Sequence, residues 1–152
     1  MTPLWPIDHI AHIVHDLDKA IENYASLLGL NSSESTPEVG GSSRVLPHYR
    51  ETLPEHKVEV AFIDLENTSI ELITPLEGNS SLVNFLNSRG EALHHICYRV
   101  DSVAVELERL KASGYRLIDK SPRPGARQTE VAFIHPSSCG GVLTEICSDL
   151  EK

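Results

Sequence analysis

The chain has 152 residues, with 13 Lys and Arg against 22 Asp and Glu and a formal net charge of −9. That length suits one domain able to bury a core without disulfides, and the charge argues against nucleic acid or an anionic membrane as a general partner. No apolar run approaches the ~20 residues of a membrane span, Met1 to Ile7 carry no signal-peptide pattern, and the three cysteines (Cys97, Cys139, Cys147) lack framework spacing, so a cytoplasmic protein with reduced thiols is expected.

Residues 7–14 alternate and are β-branched, the pattern of a strand. Asp16 can cap a helix carrying Ala20, Ile21, Tyr24, Leu27 and Leu28 on one face, with Gly29 as its stop. Residues 31–56, rich in Ser, Pro and Gly, read as one long loop; a loop of that length in a compact domain often serves as a lid. Strands are expected at 57–65 and 68–74, then a short helix over 80–88 through Leu82, Val83, Phe85 and Leu86. A strand at 94–100 leads to a helix that opens at Asp101-Ser102, carries Val105, Leu107 and Leu110, and stops at Gly114. Strands near 115–119, 129–135 and 141–147 close the chain.

The two halves share a programme. Glu59-Val60-Ala61-Phe62-Ile63 recurs letter for letter as Glu130-Val131-Ala132-Phe133-Ile134. Upstream, His9-Ile10-Ala11-His12-Ile13-Val14 matches His95-Ile96-Cys97-Tyr98-Arg99-Val100. Downstream, Ser69-Ile70-Glu71-Leu72-Ile73 matches Val142-Leu143-Thr144-Glu145-Ile146. Three features in one order imply a duplicated strand–helix–strands module, about 7–76 and 94–147, joined by the helix near 79–90 within one domain over 1–152. The expected fold is α+β: two tandem βαβββ modules whose curved mixed sheet encloses a cavity, with helices outside.

One His and one Glu per module make a ligand set for a divalent metal. Strand alternation puts His9 on a face with Ala11 and Ile13, and His95 with Cys97, whereas His12 and His94 point the other way. A lone His on a strand is more often packed or exposed than a ligand, but two at equivalent positions of a duplication reverse that expectation. Glu71 and Glu145 sit in apolar segments, where a carboxylate must be paired or ligated to offset desolvation. The bland alternative is an ion pair or an edge-strand position. The metal reading joins His9, Glu71, His95 and Glu145 around one ion, leaving one or two positions open.

Several stretches resemble the vicinal-oxygen-chelate superfamily of glyoxalases, bleomycin-resistance proteins and extradiol dioxygenases, and within it the methylmalonyl-CoA epimerase family. They are Ile7-Asp8-His9-Ile10-Ala11, Ile70-Glu71-Leu72-Ile73-Thr74-Pro75-Leu76, Leu93-His94-His95-Ile96, Pro124-Gly125-Ala126-Arg127 and Phe133-Ile134-His135-Pro136-Ser137-Ser138-Cys139-Gly140-Gly141-Val142-Leu143-Thr144-Glu145. The resemblance implies a cytoplasmic isomerase, a homodimer, that epimerises methylmalonyl-CoA or a related acyl thioester. It places the metal (cobalt, zinc, nickel or manganese) on His9, Glu71, His95 and Glu145. Two bases are needed, one on each face of a planar enolate; the resemblance implies Glu145 and a Glu on the strand before Glu71, where Glu59 fits. Within the superfamily the alternative is a glyoxalase I-type lyase acting on a glutathione hemithioacetal; outside enzymes it is a resistance-type binding protein.

Overall fold

The computed structural model describes residues 4–32 and 44–150. Among them are eight strands: β1 (Ile7–Ile13), β2 (His48–Leu53), β3 (Val58–Asp64), β4 (Ser69–Pro75), β5 (Ala92–Arg99), β6 (Arg123–Pro124), β7 (Thr129–Ile134) and β8 (Thr144–Asp149). The three α-helices are α1 (Leu17–Leu27), α2 (Ser80–Arg89) and α3 (Val103–Ala112). Each begins on a side-chain cap that accepts an orphan backbone N–H: Asp16 from Lys19, Asn79 from Leu82 and Ser102 from Val105. The described residues form two compact units, one of residues 4–11, 67–69 and 93–150, the other of 12–32, 44–66 and 70–92.

In the first unit, β1 (through Ala11), β5, β8, β7 and β6 follow one another in space. β5 and β8 run parallel with Cys97 opposite Glu145, and β8 and β7 run antiparallel with Glu145 opposite Phe133. One face is covered by α3, through a core of Val103, Leu107, Leu110, Ala132, Ile134 and Ile146. Alternation then commits His95, Cys97, Glu145 and Cys147 to the other face.

In the second unit β2, β3 and β4 are neighbours in that order. Ala61, Ile63 and Leu72 pack with Leu17, Ala20, Ile21 and Ala25 of α1. Val58, Val60 and Phe62 therefore take the face that α1 does not cover.

Two sequence expectations are corrected. Residues 48–53 are not loop but β2, an edge strand paired with β3 in register Glu51↔Val60. Its residues are exposed or half-buried, so no apolar alternation marks it. Leu46, just upstream, is buried in the α1 core, and its N–H donates to Asn31 O. Residues 33–43 of that predicted loop lie outside the described residues. The strand expected at 115–119 reduces to a single bridge between Leu117 and Ile134, with β6 following at 123–124. The Asp119 carboxylate accepts the Phe133 N–H and so takes the place of a ladder partner.

The turn joining β6 to β7 is tight. Gly125 N–H donates to Thr129 O at 2.8 Å, and Arg127 and Gln128 both hold left-handed φ, 55° and 58°. A Cβ at Gly125 would lie 2.5 Å from Val131 Cγ1 and 2.9 Å from Thr129 Oγ1. Gly125→Ala should thus cost about 1–3 kcal/mol by overpacking, seen as an earlier midpoint in chemical denaturation. An unchanged midpoint would show that the turn yields freely.

Candidate metal centre

In the first unit, His9 on β1, His95 on β5 and Glu145 on β8 are brought to one point. His9 Nε2 lies 3.3 Å from His95 Nε2 and 3.3 Å from Glu145 Oε2, and His95 Nε2 lies 2.6 Å from the same oxygen. The three residues are 4 %, 4 % and 6 % exposed. The small buried side chains of Ala11 and Cys97 leave this face uncrowded.

The outer ring nitrogens decide what the inner ones are. His9 Nδ1 donates to Asp8 Oδ2 at 2.7 Å, which commits its proton there and turns a bare Nε2 lone pair inward. His95 Nδ1 lies 2.9 Å from His94 Nδ1, so the same tautomer results if His95 donates to its neighbour. The His95 ring also stands edge-on to Phe133, with centroids 5.1 Å apart, which fixes its plane. Three lone pairs facing one another in a buried pocket are mutually repulsive unless a cation lies between them. Two imidazole nitrogens and a carboxylate oxygen fit a divalent ion such as zinc or cobalt.

A proton on an imidazole is one such cation. Burial by itself raises the Glu145 carboxyl, but the charge and hydrogen bonds of His95 and His9 prevail and hold it well below the usual carboxylate range. Burial also raises Asp8, yet His9 and then Arg99 pull it down to about 2. Arg99 reaches Asp8 through Nε at 2.9 Å and Nη2 at 2.8 Å, and Asp149 through Nη1 at 2.8 Å. Asp8, Arg99 and Asp149 thus form a chain that steadies His9 from behind. Sequence reasoning missed Asp8 as a partner of His9, because alternation sends neighbouring side chains to opposite faces; an Asp immediately before a candidate His ligand was the available signal.

A second grouping, Asp8, His9 and Cys97, also offers ligand atoms close together. Burial, followed by Cys147 and Glu145, raises the Cys97 thiol far above its ordinary value, which keeps it protonated and a poor ligand. His94 departs from expectation: it does not stand clear of the site, since its ring edge meets that of His95. Of the other histidines, His12 Nδ1 meets Tyr24 OH at 2.9 Å, His48 Nδ1 meets Leu46 O and His135 Nδ1 meets Ser137, all local roles.

In the second unit, Glu71 is buried on β4, 7 % exposed, on the face opposite Leu72. Glu59 lies on the α1 face. Its Oε1 accepts from Arg50 Nη2 at 2.6 Å, and Arg50 also pairs with Asp18 of α1.

The family model of the glyoxalase/bleomycin resistance protein/dioxygenase superfamily matches residues 8–133. The mitochondrial methylmalonyl-CoA epimerase of Bos taurus is 36 % identical over 148 residues, covering 95 % of this chain and 76 % of the relative. The crystal structure of methylmalonyl-CoA epimerase from Mycobacterium tuberculosis superposes with a TM-score of 0.81 at 28 % identity, covering 99 % of this chain and 93 % of that one. A methylmalonyl-CoA epimerase in complex with methylmalonyl-CoA and ammonium gives 0.78 at 28 % identity, covering 97 % and 96 %.

Removing the neighbour that orients a ligand typically weakens metal binding without abolishing it. His94→Ala should therefore lower zinc affinity about 10–100-fold, measured by competition with a chromophoric chelator, whereas His95→Ala should lose nearly all bound metal. Wild-type affinity in His94→Ala would contradict an orienting role for that ring.

Proposed function

The chain belongs to the glyoxalase/bleomycin resistance protein/dioxygenase superfamily, and from that membership together with the buried His/Glu cluster we infer that it is an isomerase that epimerises methylmalonyl-CoA at C2. The observation that carries the reading is the convergence of His9 Nε2, His95 Nε2 and Glu145 Oε2 in a chain 36 % identical to a methylmalonyl-CoA epimerase. The proposed ligands are His9, His95, Glu145 and, from the repeat, Glu71. A cobalt, zinc, nickel or manganese ion held there supplies Lewis acidity toward the thioester and carboxylate oxygens.

The residues divide the remaining work. Two neutral imidazoles and two carboxylates balance a divalent charge and keep the substrate's own carboxylate from being repelled. Asp8 and His94 hold the imidazoles in the tautomer that binds. Glu145 Oε2 faces the imidazoles, and Oε1 is the atom assigned to the proton at C2. As a carboxylate it can accept that proton. The relatives favour this reaction over a glyoxalase I-type lyase, and the ionisable cluster favours an enzyme over a resistance-type binder. Three free cysteines, two of them fully buried, suit a reducing compartment, and the working form on this reading is a cytoplasmic homodimer.

In deuterated water the metal-loaded protein should wash solvent deuterium into C2 of methylmalonyl-CoA, followed by NMR or mass spectrometry. Glu145→Gln should lose both metal and exchange. A metal-filled protein that exchanges nothing at C2 but turns over the methylglyoxal–glutathione adduct would move the assignment to the lyase.

A further inference from the structure

Epimerisation needs a proton donor on the face of C2 opposite the first base, and the second unit supplies a carboxylate that the sequence did not single out. We propose that Glu51 of β2 is this second proton-transfer residue, in the position the sequence reading gave to Glu59; the proposal rests on the epimerase reading above. The argument is one of faces. Ala61 and Ile63 pack against α1, and Glu59 shares their face by strand parity. Its carboxylate is held there by Arg50, which pairs across the strands with Ala61 and reaches Asp18 on α1. Glu51 pairs with Val60 and Tyr49 with Phe62, so both take the face that α1 leaves uncovered. Leu72 points to α1 as well, which puts Glu71 on that same uncovered face.

Glu51 and Glu71 thus project from one side of the sheet, on β2 and β4, two strand spacings or ~10 Å apart measured across the strands. That gap accommodates the acyl head of a substrate whose oxygens are held at the Glu71 end. Glu51 is half-buried, and Tyr49 OH donates to its Oε2 at 3.3 Å. Asp64 has the same parity but lies at the exposed end of β3. In the forward step the C2–H bond breaks and one carboxylate takes the proton. The electron pair passes into the enolate, and the carboxylic acid on the other side returns a proton to the opposite face of C2. Solvent then resets both groups, and the reverse reaction exchanges their roles.

The test is Glu51→Gln, with each C2 epimer of methylmalonyl-CoA incubated separately in deuterated water. The variant should keep its metal and lose epimerisation by about 100-fold or more. One epimer should still exchange its C2 hydrogen with retention, through Glu145, while the other becomes inert. Epimerisation within a few-fold of wild type would overturn the proposal, as would equal loss of exchange from both epimers. The one-sided loss appearing in Glu59→Gln instead would return the role to Glu59. Failure of the epimerase reading itself looks different: the wild-type protein would then exchange neither epimer.

Discussion

Three acceptor atoms cannot face one another in a buried pocket without a proton or a metal ion between them, and the first unit is arranged around that constraint. Glu145 Oε2 stands 2.6 Å from one imidazole nitrogen and 3.3 Å from the other, and the backs of both rings are already engaged. A proton satisfies such a set only by giving up one lone pair; a divalent ion satisfies all three at once. The cost of burying Glu145 is therefore tied to the ion it can bind, so affinity and local stability rise or fall together.

Strand parity does the rest of the positioning. On β5 and β8 one face feeds the core under α3 and the other presents His95, Cys97 and Glu145. Parallel pairing places Cys97 directly opposite Glu145, and its small side chain lets the ligands approach without filling their space. Behind His9 the Asp8–Arg99–Asp149 chain ties the first strand to the ends of β5 and β8 by charge-assisted hydrogen bonds. In the second unit the same parity separates two glutamates that the sequence makes look alike: Glu59 in a surface ion pair on the α1 side, and Glu51 across from Val60 on the other.

Much of this was legible from the duplication, because a repeat that supplies a His and a Glu at matched strand positions leaves little room for coincidence. The helices were legible too, since Asp16, Asn79 and Ser102 cap them by a local mechanism. What escaped was whatever depends on neighbours distant in sequence. β2 carries no apolar alternation because it is an edge, so Glu51 was read as loop. Alternation shows that Glu59 shares a face with Ala61, but which face α1 covers is settled only by packing. Parity also sends Asp8 and His94 away from their neighbours, yet the Asp8 carboxylate and the His94 ring both contact the ligands at short range.

The most direct measurement is X-ray absorption at the metal edge of protein loaded with one equivalent of zinc or cobalt. The account predicts two imidazole nitrogens with oxygen donors at about 2.0–2.2 Å and no sulfur. A shell at about 2.3 Å from sulfur would place the ion at Asp8, His9 and Cys97 instead, and a spectrum without imidazole scattering would remove the metal from this site altogether.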